Sequence, residues 1–492
     1  MVSTPCGACL LAARAAPMVF SSITFLLFFL PAVLALLACT PRRYHNLLLV
    51  LVSFLFYYWG EGLYLLLMVW SIVFNHCAGL VIERWRRYWL LTVIVAIDLA
   101  PLLYFKYTAF LLGALQHQLG LQLVSDEHLQ SIHLPIGISF CTFHSLSYVV
   151  DVFRRTAPVQ RNLVRTGLYI ALFPQLVAGP IIRYQEIQAQ LAERRIRASD
   201  LGWGAERFIY GLAKKVVIAN PLGLVTDEIF KHHDQGLLMA WAGLIGYTMQ
   251  IYYDFSAYSD MAIGLGRMLG FTFPENFNYP YVSRSVQEFW RRWHMSLSHW
   301  FRDYVYIGLG GNRHGAFATY RNLLIVFVLC GLWHGANWTF LIWGLWHGGF
   351  LVLERGVRWP GGALWRPLQH AYLMLVVMTG WVFFRSDDLP SACNYFASLA
   401  GRHGMGSLSA IGSGANGLTA LALIGSLVFL APLGPWLLQR YTALSSAQQA
   451  RQSWQKTAYL DLARATAVLA LHVWCIAQLA IGGYNPFIYF RF

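Results

Sequence analysis

Cys330 to Gly349 reads CGLWHGANWTFLIWGLWHGG. The stretch is apolar enough to lie in a bilayer, yet it carries His334, Asn337 and His347 among four tryptophans. Polar groups at membrane depth are costly and tend to be functional, so two imidazoles in such a setting have to be accounted for.

The rest of the chain shows that the setting is hydrocarbon. Of 492 residues, 57% are hydrophobic and only 12% charged, with a mean hydropathy of +0.50. This exceeds what one soluble core buries and indicates an all-α polytopic membrane protein. Apolar runs lie near 18–39, 46–60, 62–82, 89–113, 134–151, 164–182, 205–226 and 237–255, then near 321–332, 337–354, 368–384, 415–438 and 458–480. At about 20 apolar residues per span, with several runs short or punctuated, the expectation is about 9 to 12 crossings. Re-entrant segments are expected around 134–182 and 321–350, where Pro135, Pro174, Pro180 and many glycines interrupt the pattern.

The net charge of +14 comes from clusters between apolar runs, such as Arg42–Arg43, Arg84 with Arg86–Arg87, Arg194–Arg195 and Lys214–Lys215. This is the positive-inside pattern with contact to anionic lipid, not a nucleic-acid footprint. The eight cysteines are scattered, and only Cys6 and Cys9 form a C-x-x-C, so neither a disulfide framework nor a zinc ribbon follows. Residues 1–17 read as an N-terminal extension before a second methionine, Met18, which is the simpler start. Residues 18–481 read as the membrane domain and 482–492 as an aromatic C-terminal tail.

The densest polar chemistry lies between Tyr252 and Arg321. Asp254 and Asp260 interrupt an apolar run and are expected to bond neighbouring helices or backbone. In SVQEFWRRWHMSLSHWFRDYVY, Val286, Phe289, Trp290, Trp293, Leu297, Trp300, Phe301 and Tyr304 follow the spacing of one amphipathic helix, with six arginines against two acids from Arg284 to Arg321. His294 aligns with its apolar side, as a packed core residue or as a chemical one. In the following GLGGNRHG, backbone amides and Arg313 suit a phosphate, and a glycine-rich interfacial turn accounts for the run equally well.

Were 331–348 one straight helix, His334 and His347 would lie about 20 Å apart along its axis. They would then share no metal ion, and no H-x-x-x-H, H-E-x-x-H or Cys–His cluster occurs elsewhere. What remains for a buried neutral imidazole is proton transfer. Gly331, Gly335, Gly344 and Gly348 permit close approach of a helix or ligand.

Read together, LPIGISF (134–140), FPQLVAGPIIRY (173–184), YYDFSAYSDMAIGLG (252–266), ENFNYPY (275–281), EFWRRWHMSLSHWFRDYVYIGLGGNR (288–313) and GLWHGANWTFLIWGLWHG (331–348) resemble the membrane-bound O-acyltransferase family. The resemblance runs in order from about Met18 to beyond Arg385. It is strongest to the branch serving bacterial alginate O-acetylation, with cellulose acetylation as the alternative polymer. It implies a ring of helices around a central funnel in the bacterial inner membrane. It also implies a histidine at the constriction, between a cytosolic acyl donor, acetyl-CoA, and an extracytoplasmic acceptor. That histidine matches His334, because the family motif G-[LI]-W-H-G aligns with residues 331–335; His347 stands in a second W-H-G and is the rival. The R-W-H histidine matches His294.

One imidazole suffices as the base for thioester-to-alcohol acyl transfer, with no covalent enzyme intermediate. Backbone amides, His294 and the indoles, Trp333 among them, are the available oxyanion donors. Asn337, one turn beyond His334, is placed to orient its ring. The implied partners are a periplasmic SGNH-type acetyltransferase and a polysaccharide synthase and export complex, with no bound cofactor. The tail residues Phe487-Ile-Tyr-Phe490 resemble the acyl-accepting tails of the related lipoteichoic acid D-alanylation system, which makes Tyr489 a candidate acyl carrier. Interfacial aromatics anchoring the last helix explain the same residues. A transporter and a purely structural export subunit are the readings from other classes. The first should show internal symmetry, which the sequence lacks, and the second needs neither histidine.

Overall fold

The computed structural model describes residues 18–120, 124–177, 179–232, 235–356, 362–407, 417–433, 440, 454–482 and 484–486. The expected extension at 1–17 lies outside the described residues, as does the tail from 487 onward. Every regular element among the described residues is helical.

The chain forms two compact units. The first comprises residues 1–109, 116–177 and 183–195. It contains α1 (Leu30–Cys39), α2 (His45–Glu61), α3 (Leu65–Trp85), most of α4 (Tyr88–Leu119), α5 (Asp126–Ser131), α6 (Ile138–Arg154), α7 (Leu163–Ala171), α8 (Phe173–Leu176) and α9 (Tyr184–Ala192). Its core includes a ring cluster of Phe20, Phe25, Phe29, Phe56 and Phe173, with centroids 5.1 to 6.5 Å apart. The run 134–182, expected to be interrupted, is divided among α6, α7 and α8, as its prolines require.

The second unit comprises residues 110–115, 178–182 and 196–492. It contains α10 (Ala198–Ala213), α11 (Asn220–Lys231), α12 (Leu237–Met268), α13 (Val286–Trp290), α14 (Met295–Trp300), α15 (Gly315–His334), α16 (Trp338–Gly356), α17 (Arg366–Arg385), α18 (Leu389–Leu399), α19 (Gly417–Val428) and α20 (Trp454–Ala480). Between α10 and α11 the helix widens over Lys214–Ala219.

Among the described residues, six helical stretches are long and apolar enough to cross a membrane: Arg42–Trp85, Tyr88–Gln116, Ala198–Lys231, Gly315–His334, Arg366–Arg385 and Tyr459–Ala480. The first is 44 residues long and holds both α2 and α3. α12 is 32 residues long, but Gln250, Asp254 and Asp260 make it more polar, and it is not among the six. The acids pair as expected. Asp254 lies 2.6 Å from Lys215, and Asp260 pairs with Arg207 at 2.7 Å and Lys214 at 2.6 Å. α12 is thereby stitched to α10 and the widened turn, where Gly264 faces Gly204 so closely that a Cβ on either would meet the other's backbone oxygen.

The predicted single amphipathic helix over 286–304 does not form. It breaks at 291–294, where His294 takes a left-handed conformation, φ +42°. Asn276 favours the break: it receives the start of α14, its carbonyl accepting from Met295 N–H at 2.9 Å and its Oδ1 from Ser296 N–H at 3.2 Å. Ser285 Oγ and the Glu354 carboxylate cap the N-terminus of α13. Val286, Phe289, Trp290, Leu297 and Trp300 are buried on two short helices instead of one long one, with Trp293 buried in the break, Phe301 buried just past α14 and Tyr304 half-buried.

Candidate active site

The second unit holds the site. α15 and α16 form a hairpin broken at Gly335–Asn337, where Gly335 leaves the helical region at φ −164°, ψ 149°. Close crossing is possible because Gly331 and Gly344 present no side chain. A Cβ at 331 would collide with the Phe340 carbonyl, and one at 344 with that of Phe327. A straight helix would set the two histidines about 20 Å apart along its axis; the hairpin removes that basis. Both rings touch Trp343, with centroid distances of 5.1 Å for His334 and 5.2 Å for His347.

His334 ends α15, buried at 5% exposure, with Trp333 at 4.8 Å and Phe384 at 5.1 Å completing its aromatic surroundings. His294 enters the same cluster through Trp333, at 6.1 Å, and packs edge-on to Phe255 at 4.6 Å. Its Nδ1 lies 3.1 Å from Asn276 Oδ1, which also accepts from Ser296 N–H at 3.2 Å and Ser296 Oγ at 2.9 Å. Because a backbone N–H can only donate, the Asn276 atom is the oxygen, and His294 Nδ1 carries the proton. Nε2 is then a lone-pair acceptor with no hydrogen-bond partner among the described residues. Asn276, in the ENFNYPY motif, is the orienting residue that the sequence reading missed: an asparagine 18 positions away has no local signal.

His347 is fully buried, and neither ring nitrogen has a hydrogen-bond partner among the described residues. It is boxed by Trp290, Trp343 and Trp381 and packs so closely on Gly380 that a Cβ there would strike Nε2. Asn337 does not turn its amide to His334 in any bond described. It donates to the Asp387 carbonyl at 2.6 Å and accepts from Thr339 N–H at 3.2 Å, tying the start of α16 to the segment after α17. Arg313 sits exposed on the turn after Tyr306, its N–H on the Gly310 carbonyl, and not among the rings. Among the described residues no group of three His, Cys, Asp or Glu is placed to hold a metal. Tyr489 lies outside the described residues.

One ring away from His334 is a cavity of about 160 Å³. Phe384 and Phe340, in edge contact at 5.1 Å, form its wall, with Asn337, Gln250, Pro486 and the Asp227–Arg385 ion pair around them.

Residues 36–359 match the membrane-bound O-acyltransferase family. The chain belongs to this family. It is accordingly an acyltransferase and a multi-pass membrane protein. It is 41% identical to a probable alginate O-acetylase of Azotobacter vinelandii, over 96% of this chain and all of that one. A peptidoglycan O-acetyltransferase of Helicobacter pylori is 34% identical over 79% of this chain and 81% of its own length. A teichoic acid D-alanyltransferase of Bacillus subtilis is 30% identical over 42% of this chain and 57% of its own. In this membrane-bound O-acyltransferase, the W-H-G histidine of α15 and the R-W-H histidine before α14 both lie against the Trp333 ring.

Proposed function

We propose that this chain is the inner-membrane subunit that transfers acetyl groups for O-acetylation of an exported polysaccharide of the alginate type. The near full-length similarity to probable alginate O-acetylases supports the polymer class. The observation that carries the chemistry is the buried His334 beside the cavity bounded by Phe340 and Phe384.

Acetyl-CoA is the donor in this reading. An acceptor hydroxyl attacks the thioester carbonyl, His334 takes the hydroxyl proton, the C–S bond breaks, and the proton leaves with the thiolate as CoA thiol. The aromatic surroundings exclude water, so the acyl group goes to the alcohol and is not hydrolysed. His294 packs against the Trp333 ring of the same cluster and, through the Asn276 bond, holds one tautomer. A protonated Nε2 would give it a donor for the oxyanion; a neutral one makes it an acceptor that relays the proton.

The immediate acceptor in this reading is Tyr489, whose acetyl ester a periplasmic SGNH-type transferase takes up for the polymer within the synthesis and export complex. A base enclosed by rings leaves little room for a polysaccharide. The deciding experiment is His334→Ala in cells making the polymer. Polymer without acetyl groups, at normal amounts of the membrane protein, is expected; wild-type acetyl content rejects the assignment.

A further inference from the structure

Three consecutive residues near the C-terminus are each held by a different side chain of one stretch. Tyr484 O–H donates to the Asp227 carboxylate, Asn220 Nδ2 donates to Asn485 Oδ1 at 3.2 Å, and Lys215 Nζ donates to the Pro486 carbonyl. The order is antiparallel: 484, 485 and 486 meet 227, 220 and 215. Two anchors are themselves fixed from behind, Lys215 by Asp254 at 2.6 Å and Asp227 by Arg385 at 2.8 Å. Gly223, on the same helix α11 as Asp227, leaves room for the Gln250 amide, which a Cβ there would meet at 2.7 Å. A helix end held only by interfacial aromatics needs none of these bonds.

The segment ends at a particular place. Pro486 lines the cavity bounded by Phe340 and Phe384, the latter in contact with His334. In the same lining, Gln250 is 2% exposed and its Oε1 has no partner among the described residues. A buried acceptor without a donor costs free energy unless something supplies one.

We propose that Tyr484–Pro486 is a docking latch, with Lys215, Asn220 and Asp227 as positioning residues that deliver the following aromatic segment of this same chain into the cavity. The occupant is a peptide with aromatic side chains, matched to the Tyr247, Phe340 and Phe384 walls, and Gln250 Oε1 accepts from one of its N–H or O–H groups. The latch stands on the bonds above; only its role in the reaction rests on the carrier reading of Tyr489.

The test uses detergent-solubilised full-length protein with a C-terminal epitope, and polymer acetylation in cells. Tyr484→Phe keeps the ring and the Asp227–Arg385 pair and removes one hydroxyl; Asn485→Ala removes the second bond independently. Loss of a hydrogen bond to a charged group corresponds to about a tenfold loosening. Chymotrypsin should therefore remove the epitope about tenfold faster from Tyr484→Phe, and faster still from the double variant, while polymer acetylation falls at unchanged protein level. Wild-type cleavage rates in both variants and their combination overturn the latch. Faster cleavage with full acetylation, where Tyr489→Phe is inactive, overturns its positioning role. Faster cleavage with Tyr489→Phe fully active upholds the latch and rejects the carrier.

Discussion

Asn276 Oδ1 stands 3.1 Å from His294 Nδ1 and gathers three donors from His294 and the first turn of α14. The same oxygen thus fixes a left-handed residue, a helix start and an imidazole tautomer. Asn276→Ala leaves these buried donors without an acceptor, at about 1–3 kcal/mol for each group left unsatisfied. The expected result is a lower unfolding temperature in detergent and loss of acetylation. Asn276→Asp, which keeps the acceptor, should recover most of the thermal stability. Equal stability of wild type and Asn276→Ala would show that the network contributes nothing.

The two W-H-G histidines should separate cleanly. His347 has no hydrogen bond to lose among the described residues, so His347→Leu exchanges an unsatisfied buried ring for an apolar group of similar volume but different shape. Relief of the polar cost offsets the repacking, and the change in stability should stay within about 1.5 kcal/mol. Polymer acetylation should persist, in contrast to His334→Ala. An inactive His347→Leu in well-folded protein would transfer the base role to the second motif.

Asp254 and Lys215 are both almost fully removed from solvent, at 2% and 1% side-chain exposure. Removing one partner strands the other, which costs about 3–5 kcal/mol, whereas an apolar pair of similar volume is often tolerated. Asp254→Leu should therefore reduce folded protein sharply, and Asp254→Leu with Lys215→Met should restore much of it. The restored double variant still lacks the Lys215 bond to Pro486, so its acetylation should remain low. Additive losses in a double-mutant cycle of stability would deny the coupling.

Much of this architecture is legible in the sequence because the solvent is hydrocarbon and backbone satisfaction leaves helices as the answer. The candidate histidines stand out through motif resemblance, not periodicity: His334 and His294 sit in patterns that a packed core would also produce. What periodicity got wrong was the break at 291–294. Apolar spacing reports which residues are buried, and two short helices around Asn276 bury the same residues as one long helix. The convergence of Lys215, Asn220 and Asp227 on residues 484–486 was equally hidden, since it joins groups more than 250 positions apart. In the sequence the doublet Lys214–Lys215 reads as one of the basic clusters facing lipid; in the fold both lysines pair with acids of α12.

The closeness of α15 and α16 gives the last prediction. His334 and His347 reach the same indole because the hairpin brings backbone against backbone at Gly331 and Gly344. A methyl group at 344 would collide with the Phe327 carbonyl, an atom of the facing helix backbone that cannot rotate away as a side chain does. The helices must then separate, and Trp343 moves with them. Gly344→Ala should lower polymer acetylation at least about tenfold, since displacements near 1 Å in a positioned site are expensive. Gly349→Ala is the matched control: five residues on in α16, a Cβ there has nothing within 4 Å, and alanine is favoured over glycine in a helix interior by about 1 kcal/mol. It should preserve acetylation and slightly raise the unfolding temperature. Comparable activity in the two variants would mean that the crossing distance is not what holds the histidines in place.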